Sequence, residues 1–134
     1  MKLLNLMDTV ASGLSAQRTR MEVASSNLAN AHTTRTAEGG PYQRRDVVFS
    51  ATVGEEDGVG GVEVAEVRKD TSEPRREYDP GHPDADANGY VAYPNISVVE
   101  EMVDMITASR AYEAGVTAMR TASGMADRAL SIGR

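Results

Sequence analysis

The chain begins and ends with stretches in which apolar residues recur at alternating steps of four and three. The first stretch contains Leu3, Met7, Val10, Leu14, Met21, Ala24, Leu28 and Ala31, with the polar Gln17 at one position. The second contains Val98, Met102, Met105, Ser109, Tyr112, Val116, Met119, Ser123, Ala126 and Leu130. A repeat of about 3.5 residues is typical of the narrow contact seam of a coiled coil. We therefore predict helices over 3–31 and from residue 96 onward, paired side by side.

The predicted helices also carry end signals. Small polar residues from Ser25 to Thr34 compete for backbone hydrogen bonds and indicate the end of the first helix. Ser97 is the predicted N-cap of the second helix, and Glu100 three residues later completes a capping-box pattern.

The middle of the chain has a different pattern. The segments 42–53 and 62–67 are rich in valine and predict two strands of a short antiparallel sheet, joined by a turn rich in glycine and acid. Residues 72–95 contain four of the five prolines, which predicts an extended loop with one short strand at 90–93. The predicted fold is mainly α with a small β insertion. Residues 1–34 together with 96–134 form a terminal coiled-coil domain, and 35–95 form the β-rich and extended region.

Composition indicates a thin core that depends on neighbours. The 134 residues include one Phe, no Trp and only 4% aromatic residues, and large aromatic side chains usually dominate core burial. Val99, Val103 and Ile106 form a second apolar line beside the C-terminal seam. More apolar surface exists than one partner helix covers, so we expect helices from other subunits.

Charge and the N terminus narrow the class of function. Residues 54–86 hold 11 acidic and 4 basic residues of a chain whose net charge is −6, and no basic stripe exists to bind nucleic acid. The apolar run from Met1 to Met7 is too short for a signal peptide or a membrane span. We therefore expect no direct membrane insertion, and either a cytoplasmic location or export by a route other than Sec.

Candidate chemical sites are weak. Asp84, Asp86, Asn88 and Gly89 fit the first half of a calcium loop, but Asn95 stands where such a loop needs a bidentate Glu. An Asx turn before the strand at 90–93 is the favoured interpretation. The two histidines, His32 and His82, complete no catalytic or metal motif, so we expect no enzyme, no cofactor and no small-molecule substrate.

Four segments together resemble one protein family, the flagellar basal-body rod proteins, and most closely its proximal-rod FlgC type. The segments are 26–34, 35–49, 78–95 and 100–114. The matching motif residues are Asn27, Leu28, Ala29, Asn30, Thr33, Pro41, Tyr42, His82, Pro83, Asp84, Asp86, Gly89, Tyr90, Pro94, Asn95, Arg110, Tyr112 and Glu113. Two positions depart from the family pattern, because His32 and Gly115 stand where relatives carry Asn or Asp and Asn, respectively.

The resemblance implies a structural subunit of the rod that crosses the periplasm, exported by the flagellar type III apparatus without a cleaved signal. It implies partners among copies of the chain, other rod proteins, and the membrane ring and rod-adaptor protein at the base. The expected assembly interface is Leu3, Met7, Val10, Leu14, Met21, Leu28, Met102, Met105, Tyr112, Val116, Met119 and Leu130. A cytoplasmic coiled-coil adaptor or export chaperone is the alternative, and a calcium- or metal-dependent hydrolase is a third hypothesis.

Overall fold

Along the chain, one long helix precedes and another follows two small sheets in the computed structural model, which describes residues 2–54 and 60–134. The elements are α1 (Lys2–Ala29), β1 (Arg45–Ala51), β2 (Val62–Lys69), β3 (Arg75–Tyr78), β4 (Tyr90–Tyr93) and α2 (Val98–Ile132). Both predicted helices and the predicted strands at β1, β2 and β4 are confirmed. The turn predicted between β1 and β2 lies partly outside the described residues.

The insertion contains two sheets where the sequence predicted one. β1 and β2 pair antiparallel from Arg45 opposite Lys69 to Ala51 opposite Val62, with a register shift between Val48 and Phe49. β3 and β4 form a second antiparallel pair. β3 was not predicted, because its charged sequence Arg-Arg-Glu-Tyr is exposed at every position and shows no apolar alternation.

The two helices pack antiparallel. The end of α1 meets the start of α2 where Asn27 donates to Glu101, and further along Leu14 lies against Gly115. A Cβ built on Gly115 would lie 2.7 Å from the Leu14 Cδ2 atom, so the missing side chain permits the close approach. Ser97 caps α2 as predicted, because its hydroxyl accepts from the Glu100 N–H at 3.4 Å.

The contact face of α2 is turned by one residue relative to the predicted seam. Ala108 and Ala122 are buried together with Glu101, whereas Met102 and Leu130 are 50% and 70% exposed. The pattern of large apolar residues pointed elsewhere because small residues and a hydrogen-bonded carboxylate form the contact. The core is thin as predicted, since most of its buried apolar residues are alanines.

α1 also packs against the first sheet, so its contact surface is wider than a coiled-coil seam. The Thr9 hydroxyl donates to the Gly60 carbonyl at 3.1 Å, and the Ser12 hydroxyl accepts from the Val62 N–H at 3.1 Å. Ala16 and Asn27 are buried on this flank of the helix. Because these contacts are made by small and polar side chains, a search for apolar periodicity does not find them.

Candidate assembly site

Large apolar side chains stand exposed on the first turns of α2. Val98, Val99, Met102, Val103 and Ile106 are between 40% and 69% exposed, and we call them the α2 patch. Their spacing places them on the side of the helix opposite Ala108, which is fully buried. Contiguous apolar surface on a small protein marks a site of protein association.

The other end of the helix pair exposes a second apolar surface. It consists of Leu4 and Leu6 of α1 with Met125, Leu130 and Ile132 of α2. The antiparallel packing brings these two helix termini together. Apolar surface therefore lies at both ends of the long axis, while no helix in the described part of the chain has the length and apolarity that crossing a membrane requires.

Asn27 fixes the junction between the helix pair and the first sheet. Its side chain is 1% exposed and donates to the Arg45 carbonyl at 2.9 Å and to Glu101 Oε2 at 3.2 Å. Its Oδ1 atom accepts from the Arg45 N–H and from the Tyr42 hydroxyl, both at 3.0 Å. One amide thus joins α1, the start of β1 and the start of α2. Few other side chains offer both donors and an acceptor in this arrangement.

Glu101 and Arg44 complete this junction. The Glu101 residue is 1% exposed, and its Oε1 atom accepts from Arg44 Nε. Arg44 also pairs with Asp46, with 2.9 Å between Nη1 and Oδ1. Burial by itself lowers the pKa of Arg44, but the hydrogen bonds to Asp46 and Glu101 outweigh it and raise that pKa. The buried carboxylate is therefore matched by a fixed positive charge.

Some of the predicted motif residues lie in the junction and at the end of α1. Asn27 and Tyr42 meet in the junction, with the Ser26 and Tyr42 hydroxyls 3.2 Å apart. Asn30 closes the end of α1 through its side chain, which donates to the Ser26 carbonyl at 2.9 Å and accepts from the Thr33 hydroxyl at 3.1 Å. Leu28 and Pro41 are half-buried, Pro94 is buried, and Ala29 and Asn95 are exposed.

A second cluster joins the end of α1 to the turn before β4. Thr34 donates to Asp84 Oδ2 at 2.7 Å, and Arg35 pairs with the same carboxylate. The hydrogen bond from Thr34, followed by the one from Arg35, lowers the pKa of Asp84. The rings of His32 and His82 both lie edge-on to Tyr93, with centroids 6.3 and 6.2 Å away. The departure at His32 thus contributes an aromatic contact.

The Asx turn predicted within 84–89 is confirmed. Asp86 Oδ1 accepts from the N–H groups of Asn88 and Tyr90 at 2.8 and 2.9 Å. Gly89 has a φ of 83°, which a residue with a side chain rarely adopts. Within the described ranges, no three acidic, histidine or cysteine side chains are grouped so that they could hold a metal ion. The carboxylate instead organises the backbone.

The remaining motif residues lie on the middle of α2. Tyr112 is half-buried toward α1, while Arg110 and Glu113 are exposed beyond the α2 patch. The sequence did not indicate that Glu101 and Arg44 are central to the junction. A charged residue near the start of a helix, such as Glu101, is usually exposed to solvent. A signal for Arg44 does exist in the sequence, because charged residues interrupt the apolar pattern of the strand predicted over 42–53.

Comparison with known proteins gives a consistent result along the chain. Residues 7–35 match the family described as flagella basal body rod protein, and residues 87–132 match the family described as flagellar basal body rod FlgEFG protein C-terminal. The flagellar basal-body rod protein FlgC of Salmonella typhimurium is 42% identical over 134 residues, with 100% of both chains covered. The FlgC proteins of Borreliella burgdorferi and Bacillus subtilis are 43% and 41% identical, with 98% and 96% of each chain covered.

Proposed function

This chain belongs to the FlgC family of flagellar basal-body rod proteins, and we propose that it joins the rod through the apolar surfaces of α1 and α2. It is a structural, non-enzymatic subunit of the proximal rod and serves motility. The observation that carries the proposal is the row of half-exposed apolar side chains from Val98 to Ile106. Covering water-exposed apolar area of this kind with a neighbouring helix lowers the free energy and so stabilises the assembly.

The partners are copies of the chain and other rod proteins, which contribute further helices to the axial layer. The proposed interface combines the α2 patch, which includes the predicted seam residue Met102, with other predicted seam residues that remain accessible, such as Leu130. Residues 1–34 and 96–134 then form the axial domain, and 35–95 face outward. The charge distribution supports this arrangement, because the acidic surfaces of neighbouring insertions repel each other and are well solvated.

Assembly at the base of the rod brings contacts with the membrane ring and the rod-adaptor protein. The chain crosses into the periplasm through the flagellar type III apparatus and retains its N-terminal residues. The supporting feature is the incomplete burial of the helix pair. A chain that gains much of its apolar burial from neighbouring subunits is less stable alone, so it unfolds more readily for passage through an export channel. We expect the outer ends of α1 and α2 to fray in the free chain, so that its helicity measured by circular dichroism rises on assembly.

Ile106→Asp tests the interface. The side chain is 53% exposed, so the folded monomer tolerates the change, but a charge in a buried helix contact prevents incorporation. The readouts are swimming on soft agar and the amount of the protein in purified basal bodies. Thr117→Asp is the matched control, because it adds the same charge at an exposed position farther along α2, beyond the patch. Normal swimming and incorporation with Ile106→Asp would refute the interface.

Leu14→Asp and Val116→Asp place the charge in the predicted seam, and both should abolish incorporation. Leu14 also contacts Gly115 within the chain, so its variant should lose helicity as well. The alternative, a cytoplasmic adaptor or export chaperone, predicts a discrete soluble dimer that stays in the cytoplasm. Cell fractionation separates the two, since a rod subunit co-purifies with basal bodies.

A further inference from the structure

The turn that enters β4 contains a reactive dipeptide that the rod function does not use. Asn88 is followed by Gly89, and the other four asparagines of the chain are followed by larger residues. Glycine has no Cβ to hinder its backbone nitrogen from approaching the preceding side chain. Asparagine is among the residues that degrade chemically with time and heat.

The reaction available at this dipeptide is intramolecular. The Gly89 nitrogen attacks the Asn88 Cγ atom, a new N–C bond forms, the Cγ–Nδ2 bond breaks, and ammonia leaves with the proton of the Gly89 amide. The product is a cyclic imide. Water then opens one of its two carbonyls, which gives either aspartate or isoaspartate, and in isoaspartate the main chain runs through Cγ. Water is the sole co-reactant.

The folded turn fixes the reacting Gly89 nitrogen and the backbone of Asn88 in place. The Gly89 N–H donates to the Asp86 carbonyl at 3.0 Å, and the Asn88 N–H donates to Asp86 Oδ1 at 2.8 Å. Gly89 is buried, and a Cβ built on it would lie 2.9 Å from the Tyr78 Cε2 atom. The neighbouring ring therefore leaves the Gly89 backbone little room to move.

We propose that Asn88 is a latent deamidation site, which the folded β3–β4 hairpin shields and which reacts whenever the hairpin opens. The shielding follows from a local equilibrium, because a group fixed in the closed state reacts only in the open fraction. Conversion at Asn88 thus records the time that the chain has spent unfolded.

Isoaspartate at this position prevents the hairpin from closing again. The Tyr90 N–H donates to Asp86 Oδ1, and the Asp86 N–H donates to the Tyr90 carbonyl, both at 2.9 Å. An added main-chain carbon between Asp86 and Tyr90 changes the spacing on which this pair of hydrogen bonds depends. Tyr90 would also lose its register opposite Tyr78, where β3 and β4 begin to pair.

The test compares purified protein in buffer with the same protein unfolded in urea, both incubated at mildly alkaline pH. Peptide mapping by mass spectrometry should show that the Asn88 peptide converts at least about tenfold more slowly in buffer, as expected for reaction through an open state. Asn95, which precedes Ile96, is the internal control and should stay unconverted in both samples. Hydrogen exchange at residues 90–93 verifies the hairpin in the same sample. Equal conversion rates, or a hairpin without protected amides, would overturn the proposal.

Three variants separate shielding from other causes. Asp86→Ala removes the side-chain acceptor and should speed conversion in buffer several-fold, whereas Asp86→Asn keeps an acceptor and should stay close to the parent rate. Asn88→Asp carries the charge of one product on a normal backbone. It should retain the amide protection of β4, while the isoaspartate fraction, separated by chromatography and refolded, should lose it. A parent-like rate for Asp86→Ala, or full protection in the isoaspartate fraction, would contradict the mechanism.

Discussion

The helix pair and the insertion between its two helices are stabilised in different ways. Residues 35–95 carry 13 acidic and 7 basic residues, while the rest of the chain carries 7 of each. The insertion makes hydrogen bonds and aromatic contacts of its own, such as those of Asp86 with Tyr90 and of His82 with Tyr93. The helices bury mainly alanine against each other and leave many of their large apolar residues exposed to water. A subunit whose helices leave apolar side chains uncovered suits a role in which neighbouring subunits supply the missing contacts.

The largest effect on this comparison should come from Glu101, because it joins the two regions. Glu101→Ala removes a buried carboxylate and leaves Asn27 and Arg44 without one partner each. Breaking a buried ion pair costs about 3–5 kcal/mol, and we expect the lower end, since Arg44 also pairs with Asp46. Urea denaturation followed by circular dichroism measures the loss.

Glu113→Ala is the matched control on the same helix, because Glu113 is exposed, and a surface change of this kind stays within about 0.5 kcal/mol. Glu101→Gln should lie between the two, since its amide still bonds to the junction. If Glu101→Ala were as stable as the control, the junction would not couple the helices to the sheet.

A second effect should distinguish two glycines of α2. Glycine inside a helix costs about 1 kcal/mol relative to alanine, so Gly124→Ala should stabilise the protein, because no heavy atom lies within 4 Å of the added methyl group. Gly115→Ala should gain less or lose stability, since its methyl group would lie 2.7 Å from the Leu14 Cδ2 atom. Thermal unfolding of the two variants measures the difference. Equal shifts would show that the helices do not approach closely at Gly115.

The sequence predicted much of the helix pair because its signals are periodic and local. The helix that the alternation of four and three predicted and its Ser97 cap are both present in α2. The rotation of the contact face did not follow from the sequence, because it depends on Gly115 and Ala108, which offer close approach rather than apolar area. Propensity and periodicity describe one helix at a time, whereas the angle at which two helices meet is set by the atoms between them.

The junction was only partly predictable for a related reason. Asn27 was singled out by its motif, but its partners Arg45 and Glu101 are 18 and 74 residues away in sequence. Long-range hydrogen bonds leave no periodic trace in one sequence. β3 escaped prediction because its stabilisation comes from pairing with β4 and not from buried side chains of its own.

A third and smaller effect concerns the contact of α1 with the first sheet. Ser12→Ala removes the acceptor of the Val62 N–H, and the loss of one such hydrogen bond costs about 1 kcal/mol. Ser15→Ala is the control three residues later, because Ser15 is exposed and alanine is the better helix former. Urea denaturation should therefore move the two midpoints in opposite directions. Midpoints that move in the same direction would show that the Ser12 hydrogen bond does not hold α1 against the first sheet.

The smallest effect should appear only in acid, at the contact between the end of α1 and the insertion. The hydrogen bond from Thr34, together with Arg35, holds the pKa of Asp84 below its ordinary value of 3.8. A carboxylate with a lowered pKa stabilises the folded state above the pKa of the unfolded chain, and that stabilisation fades as the pH falls through the folded value. The parent should therefore lose stability below about pH 4 more steeply than Asp84→Asn, which has no carboxylate to protonate there. Thr34→Val keeps the shape, removes the hydrogen bond, and should move the loss to higher pH. If all three proteins had the same acid profile in thermal unfolding, the insertion would be tied to the helices through the Asn27 junction and not through Asp84.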